Sequence, residues 1–259
     1  MKIGMMNDPV NNLFEEIKFA GKYQFDFLDL TIEPPRCQVE DVDWDRVQTF
    51  IRQHRLGVIG HTNPILPWAS PIISLKEAAL TELEKQLALF HRLGAQYVNL
   101  HAHWYQPHSP PREIGERIIA SLHRLLKITN KFGLRLMLEN QASGFFNTPD
   151  RLQPIFSRCP QLLFHLDVGH AQVAGKGRSL TADFIRRFGK RLTHVHLSDN
   201  RGVTDDHLAL GEGMIDWKMT VEALKKTRYD GTVTLEVWNR AKLNRSRCRW
   251  LELWENSGM

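Results

Sequence analysis

The chain has 259 residues, 42% of them hydrophobic and 24% charged, which is the balance of a globular protein and excludes a disordered or fibrous chain. This length suits one large α/β domain, and we expect a single domain over residues 1–259. The net charge of +5 permits anionic partners, but the densest basic segment, 244–249, lies near the C-terminus. Scattered, solvated Lys and Arg therefore explain the charge better than a dedicated phosphate-binding track.

The cysteines and the N-terminal residues bear on the cellular compartment. Cys37, Cys159 and Cys248 are odd in number and have no metal-ligand spacing, which indicates reduced thiols. Met1 leads directly into a strand pattern, with neither an apolar signal region nor a run long enough to cross a membrane. We therefore expect a cytoplasmic protein with no membrane partner.

Strand and helix patterns alternate along the whole chain. Eight short apolar runs predict strands, at residues 2–6, 25–32, 58–60, 97–100, 134–138, 162–166, 192–197 and 232–237. Each run is followed by a helical pattern, and the first helix carries Leu13, Ile17 and Ala20 on one face. Ser74 and Glu77 have the spacing of a capping box and predict the start of the third helix.

Eight units of strand plus helix, each of roughly thirty residues, are typical of a (β/α)8 TIM barrel. An open, doubly wound sheet is the main alternative, but no glycine-rich phosphate fingerprint follows the first strand. Active sites of barrels lie at the C-terminal rim of the strands. Polar residues at the ends of the apolar runs are therefore the candidate site residues.

Nine carboxylate and imidazole side chains lie at or soon after the ends of predicted strands 3 to 8. They are His61, His101, Glu139, Asp167, His170, His196, Asp205, His207 and Glu236. If the barrel brings these strand ends together, the nine residues form a pocket for one divalent metal ion, or for several. The alternative is a set of helix caps and solvated loop residues.

The strongest candidate set is Glu139, Asp167, His196 and Glu236, from the ends of strands 5 to 8. Three carboxylates and one imidazole suit Mn²⁺, Co²⁺, Mg²⁺, Fe²⁺ or Zn²⁺, and spacing does not choose among these ions. His170 follows Asp167 by three residues and is either a metal ligand or a substrate contact.

Three further residues are candidates for substrate binding. Arg201 is the first cation after strand 7 and could contact a substrate hydroxyl or phosphate. Trp68 and Trp104 also lie near the rim. Core or lid packing would explain both indoles, and stacking on a sugar face is the functional alternative.

Around these residues the sequence resembles the xylose-isomerase-like TIM barrel superfamily over nearly its whole length. The resemblance is carried by LENQ around Glu139, HLDVGHA around Asp167, HVHLSDN around His196, DDHLALGEGMIDW around His207 and YDGTVTLEV around Glu236. It implies a TIM barrel with a metal-dependent active site.

Two branches of this superfamily use the ligands differently. Similarity to sugar and sugar-phosphate isomerases and ketose 3-epimerases implies one metal, held by Glu139, Asp167, His196 and Glu236, with the two glutamates as acid and base. Similarity to endonuclease IV, which cuts DNA at abasic sites, implies three zinc ions. Their ligands would be His61, His101 and Glu139 for the first, Glu139, Asp167, His196 and Glu236 for the second, and His170, Asp205 and His207 for the third.

The residues around the ligands favour the sugar branch. Strand 2 ends in LTIEPP, where endonuclease IV has a polar segment with an Arg that enters damaged DNA. Val-Gly-His follows Asp167, where the nuclease has Thr-Cys-His. A nucleic-acid partner is therefore disfavoured.

We expect a divalent-metal-dependent isomerase or epimerase of a small sugar or sugar phosphate. Glu139 and Glu236 would exchange the proton through a metal-stabilised enediolate. Three other readings stay open: a hydrolase of abasic DNA, a dehydratase that expels water from the same kind of enolate, and a barrel that keeps only a structural metal or a binding pocket. The expected partner is a small carbohydrate, and the resemblance also permits a homo-oligomer, since dimers and tetramers are common among such barrels.

Overall fold

The computed structural model of the chain describes residues 1–101, 108–144 and 146–257. Its strands form a closed parallel barrel in which each strand pairs with the next in sequence and the last pairs with the first. They are β1 (Lys2–Met6), β2 (Phe27–Thr31), β3 (Gly57–His61), β4 (Tyr97–His101), β5 (Arg135–Glu139), β6 (Leu163–Asp167), β7 (Leu192–Leu197) and β8 (Thr232–Leu235). The predicted (β/α)8 TIM barrel is confirmed.

Helices follow the strands in sequence and pack against the barrel. They are α1 (Leu13–Lys22), α2 (Trp44–Gln53), α3 (Ile73–Arg92), α4 (Pro111–Lys131), α5 (Pro149–Arg158), α6 (Val168–Ala174), α7 (Thr181–Phe188), α8 (Trp217–Lys226) and α9 (Arg240–Asn256). The apolar stripe predicted for α1 is buried, and the Asn12 side chain caps that helix by accepting a hydrogen bond from the Phe14 N–H. None of the helices within the described ranges is long and apolar enough to cross a membrane.

The start of α3 differs from the sequence prediction. The helix begins at Ile73, so Ser74 lies inside its first turn and forms no capping box with Glu77. The Glu77 carboxylate instead accepts a hydrogen bond of 2.6 Å from the Arg124 guanidinium, and the Ser70 hydroxyl accepts one from the Ile72 N–H. The Glu77 side chain therefore forms a tertiary ion pair and not the local cap that the sequence pattern predicted.

The register of the barrel aligns the strand ends. His101 on β4 is paired with Glu139 on β5, and Asp167 on β6 is paired with His196 on β7. Glu236 follows directly after the pairing of Leu197 on β7 with Leu235 on β8. Because all strands are parallel, these residues share one rim of the barrel.

Candidate metal centre and active site

Glu139 lies at the centre of the first group of ligands. Its Oε2 is 2.9 Å from His101 Nε2 and 3.5 Å from His61 Nε2, and its Oε1 is 3.1 Å from His170 Nδ1. The Asn99 side-chain amide also donates a hydrogen bond to Oε2. Ends of three neighbouring strands and the first turn of α6 therefore converge on one buried carboxylate.

Asp167, His196 and Glu236 form a second group beside the first. His196 Nδ1 is 2.9 Å from Glu236 Oε2 and 3.7 Å from Asp167 Oδ2. Asp167 Oδ1 accepts a hydrogen bond of 2.6 Å from the His170 N–H and so caps α6. The strand end therefore fixes the start of a helix that the sequence analysis did not predict, and this helix carries His170.

Asp205 and His207 extend the site from the loop between β7 and α8. Asp205 Oδ2 is 3.0 Å from His170 Nε2 and 3.1 Å from His207 Nε2. His207 has a φ of +47°, a left-handed conformation that is uncommon for any residue other than glycine. The loop must therefore hold this histidine against a local backbone preference.

Asp199 fixes the conformation of that loop, and its contacts account for much of the long motif that follows His196. Its buried carboxylate accepts hydrogen bonds from the Gly211 N–H at 2.8 Å, the Ile215 N–H at 3.2 Å and the Trp217 indole at 2.9 Å. The backbones of Asp199 and Leu208 are also paired by two hydrogen bonds. Much of the motif from 205 to 217 thus serves to present two side chains.

The donors are close enough together to bind a divalent cation. One nitrogen or oxygen from each residue lies within 4.8 Å of the others in three rim groups. They are His61–His101–Glu139, Glu139–Asp167–His170 and Asp167–His196–Glu236. In addition, Asp167 Oδ2 is buried and has no hydrogen-bond partner among the described residues, although an unpaired buried oxygen is costly. Mixed carboxylate and imidazole donors with an unpaired oxygen fit a divalent metal.

Charge is shared unequally across the rim. Burial opposes ionisation of Glu139, but the imidazoles of His101 and His165 hold its pKa well below the ordinary value. Burial likewise opposes protonation of His196, but the neighbouring Glu236 raises its pKa well above the ordinary value. For His207, attraction to Glu236 and the hydrogen bond to Asp205 outweigh burial and raise the pKa to about 9. The carboxylates therefore attract positive charge, which a divalent cation could supply in place of protons.

The rim opens into a cavity of about 360 Å³. Its wall is formed by Met6, Asp8, Pro9, Glu33, His61, Pro64, His101, His170, Asp205, His207, Glu236 and Trp238. Neither Lys nor Arg is among these described lining residues. The undescribed segment 102–107 also contains neither residue type.

The candidate substrate residues are placed differently from the ligands. Trp68 is buried, and its indole N–H donates a hydrogen bond of 3.1 Å to the His101 carbonyl, so it supports the end of β4 and does not line the cavity. The Arg201 side chain is 69% exposed and lies 3.8 Å from Asp206. Trp104 lies outside the described residues. Trp238 does line the cavity, with its ring 4.9 Å from that of His207.

Sequence reasoning missed a buried polar layer beneath the rim. Asp29, His165, His194 and Thr234 are fully buried inside the barrel. A signal was present, because His165 and His194 precede Asp167 and His196 by two residues and therefore point to the same face of their strands. Both histidines lie inside apolar runs, so the pattern of polar residues that close a strand does not mark them.

The family model of the xylose isomerase-like TIM barrel matches residues 16–254. The chain belongs to this family. An uncharacterized protein of Methanocaldococcus jannaschii, MJ1311, is 33% identical over 132 residues, which is 48% of this chain and 44% of that protein. The chain thus spans less than half the length of this relative, and 42% of a second one, MJ1614.

Other proteins match over most of the chain. The probable L-ribulose-5-phosphate 3-epimerase UlaE of Mycoplasma pneumoniae is 20% identical over 92% of this chain and 81% of its own length. The crystal structure of a D-tagatose 3-epimerase-like protein has a TM-score of 0.90 at 22% identity, covering 99% of this chain and 98% of that one. The structure of an L-ribulose 3-epimerase has a TM-score of 0.84 at 19% identity, covering 99% and 95%. At such identities the structural likeness establishes the shared fold.

Proposed function

We propose that this protein is a divalent-metal-dependent epimerase or isomerase of a small sugar. The observation that carries the proposal is the meeting of Glu139, Asp167, His196 and Glu236 at the rim, where two overlapping ligand groups share Asp167. The names of the similar proteins above, which refer to 3-epimerases of ketoses or of a ketose phosphate, support the same reaction class.

The residues that would hold the metal are Glu139, Asp167, His196 and Glu236. A bound divalent cation would polarise the substrate carbonyl and its neighbouring hydroxyl, which acidifies the C–H bond between them. His61, His101 and His170 surround Glu139 and fix the orientation of its carboxylate.

Glu139 and Glu236 are the groups that would move the proton. The imidazoles around them lower the pKa of each carboxyl against the effect of burial, so both are ionised near neutral pH. They extend from β5 and β8, on either side of Asp167 and His196. One would remove the proton next to the substrate carbonyl, and the other would return one to the opposite face.

The cavity wall favours an uncharged substrate. Asp8 and Glu33 add two carboxylates to those of the rim, and the described lining residues supply no Lys or Arg to bind a phosphate. Met6, Pro64 and Trp238 provide apolar contact for the C–H surface of a sugar. Arg201 would have to leave Asp206 and turn inward to serve the phosphate role expected for it.

The decisive experiment compares L-ribulose with L-ribulose 5-phosphate. The Mn²⁺-loaded protein is incubated with each compound in D₂O, and deuterium uptake next to the carbonyl is followed by NMR. We expect uptake and epimerisation with L-ribulose, or with another free ketose such as D-tagatose, and weaker turnover of the phosphate ester. A preference for the phosphate ester would contradict the uncharged-substrate proposal, and no uptake across a panel of ketoses and their phosphates would contradict the reaction class.

A metal-dependent phosphodiesterase acting on abasic DNA is the second candidate. It is favoured by one observation, the proximity of His170, Asp205 and His207 to one another. This third set lies beside the groups His61–His101–Glu139 and Asp167–His196–Glu236. It predicts three ions per chain and nicking of a duplex that contains an abasic site, with DNA affinity that falls steeply as salt increases. One ion per chain and an intact duplex would eliminate it.

A further inference from the structure

Beneath the rim, one carboxylate oxygen gathers three hydrogen bonds. Asp29 Oδ2 accepts from His196 Nε2 at 2.8 Å, from His194 Nε2 at 2.9 Å and from the Thr234 hydroxyl at 2.9 Å. All four residues have no exposed surface. Asp29 lies in the middle of β2, on the far side of the barrel from β6 in the strand order.

The two ring nitrogens of His196 have different partners. Nε2 points down to Asp29, and Nδ1 points up to Glu236 at 2.9 Å and Asp167 at 3.7 Å. A histidine that donates one N–H to a carboxylate keeps the lone pair of the other nitrogen for a metal, and the carboxylate fixes the ring orientation.

We propose that Asp29 is a positioning residue that selects Nδ1 of His196 as the metal-binding atom. This inference rests on the proposed metal site, although not on the identity of the sugar. Asp29 itself is held from the other side, because the Thr234 hydroxyl donates to the same oxygen and His194 is fixed at Nδ1 by the Thr232 hydroxyl at 2.7 Å. The carboxylate therefore cannot follow His196 if the ring rotates.

A cation bound below the rim is the competing explanation for the same atoms. His165, His194 and His196 each offer a nitrogen within 4.8 Å of the others, and neither nitrogen of His165 has a hydrogen-bond partner among the described residues. Both ring nitrogens of His194 already have partners, Asp29 at Nε2 and Thr232 at Nδ1, and those of His196 face Asp29 and the rim carboxylates. Such a cation would have to displace one of these contacts from each ring, so we favour the positioning role.

The experiment compares Asp29→Ala, Asp29→Asn and the control Asp26→Ala. Asp26 is an exposed carboxylate just before β2, and it accepts a hydrogen bond from the Ile3 N–H at 2.7 Å without contacting the rim. Mn²⁺ affinity is measured by isothermal titration calorimetry on purified full-length protein. Loss of a partner that orients a ligand typically weakens metal binding by about 10- to 100-fold.

We expect that loss for Asp29→Ala, partial rescue by Asp29→Asn, which keeps an acceptor oxygen, and unchanged affinity for Asp26→Ala. In the Zn²⁺-loaded wild type, the ¹⁵N shifts of His196 should identify a protonated Nε2 and a metal-bound Nδ1. Wild-type affinity in Asp29→Ala, or a metal-bound Nε2, would overturn the inference even if the enzyme turns over a sugar. Conversely, failure of every ketose test with these metal-binding results intact would leave the inference standing and remove the proposed function.

Discussion

The ligands carried by strands and those carried by a loop are held in different ways. Glu139, Asp167 and His196 are buried at strand ends, where pairing with neighbouring strands fixes their backbones. Asp205 and His207 are partly exposed, and they depend on a loop that a single buried carboxylate, Asp199, ties together. The barrel therefore preorganises an inner site, and the loop adds an outer one whose geometry can vary more easily.

The largest effect is expected for the proton-transferring glutamates. Glu139→Gln or Glu236→Gln should lower kcat by about 10²- to 10⁴-fold at saturating Mn²⁺, because an amide cannot accept the proton. Metal content is measured in the same samples. Glu212→Gln is the matched control, since Glu212 forms an ion pair with Lys242 outside the cavity. Full activity in either test variant would remove the two-base scheme.

The next effect separates the inner from the outer ligands directly. Asp167→Asn should weaken Mn²⁺ binding by at least about 100-fold, more than a partner behind the ligands would, because Asp167 belongs to two of the rim groups. Asp205→Asn should weaken Mn²⁺ binding by less than about 10-fold, if the functional metal occupies the inner site. That loss is below the usual effect of removing a residue that orients a metal ligand. Calorimetry gives both values. Equal losses would mean that the strand and loop sets form one site.

Whether a site residue could be predicted from the sequence depends on its position within its apolar run. The barrel and the strand-end ligands were predictable, since a polar residue that closes a run of Val, Leu or Ile stands out. Asp29 and His194 stand inside their runs and become interpretable only when the barrel closes and the Asp29 carboxylate on β2 meets the His194 imidazole on β7. For Trp68 the sequence left core packing and sugar stacking open, and the structure places its buried indole against the His101 carbonyl at the end of β4.

A third prediction concerns the loop itself. Asp199→Ala leaves the Trp217 indole and three backbone N–H groups without their acceptor, which should lower the free energy of unfolding by about 1–3 kcal/mol. Chemical denaturation measures this loss. Mn²⁺ affinity of the inner site should change less than in Asp167→Asn. A collapse of inner-site affinity would show that the barrel does not preorganise it without the loop.

The smallest expected effect is a pH dependence centred on His207. Its pKa is raised to about 9 from an ordinary value of about 6.5, so its protonation stabilises the metal-free fold fully below about pH 6.5, and this contribution is lost as the pH rises towards 9. Metal binding has the opposite trend, because a ligand imidazole must be neutral. Chemical denaturation in the presence of EDTA at pH 6 and at pH 8.5 should reveal this loss of stability. His207→Gln should make the difference in stability between the two pH values smaller. A metal-free protein that becomes more stable towards pH 8.5 would contradict this assignment.

The most direct test of the account is a crystal structure of the Mn²⁺-loaded protein with anomalous diffraction at the manganese edge. We predict one strong anomalous peak bound by Glu139, Asp167, His196 through Nδ1, and Glu236, with His196 Nε2 still directed at Asp29. A peak confined to His170, Asp205 and His207, or no peak among the four strand-end residues, would contradict the central claim that the barrel rim builds a preorganised metal site.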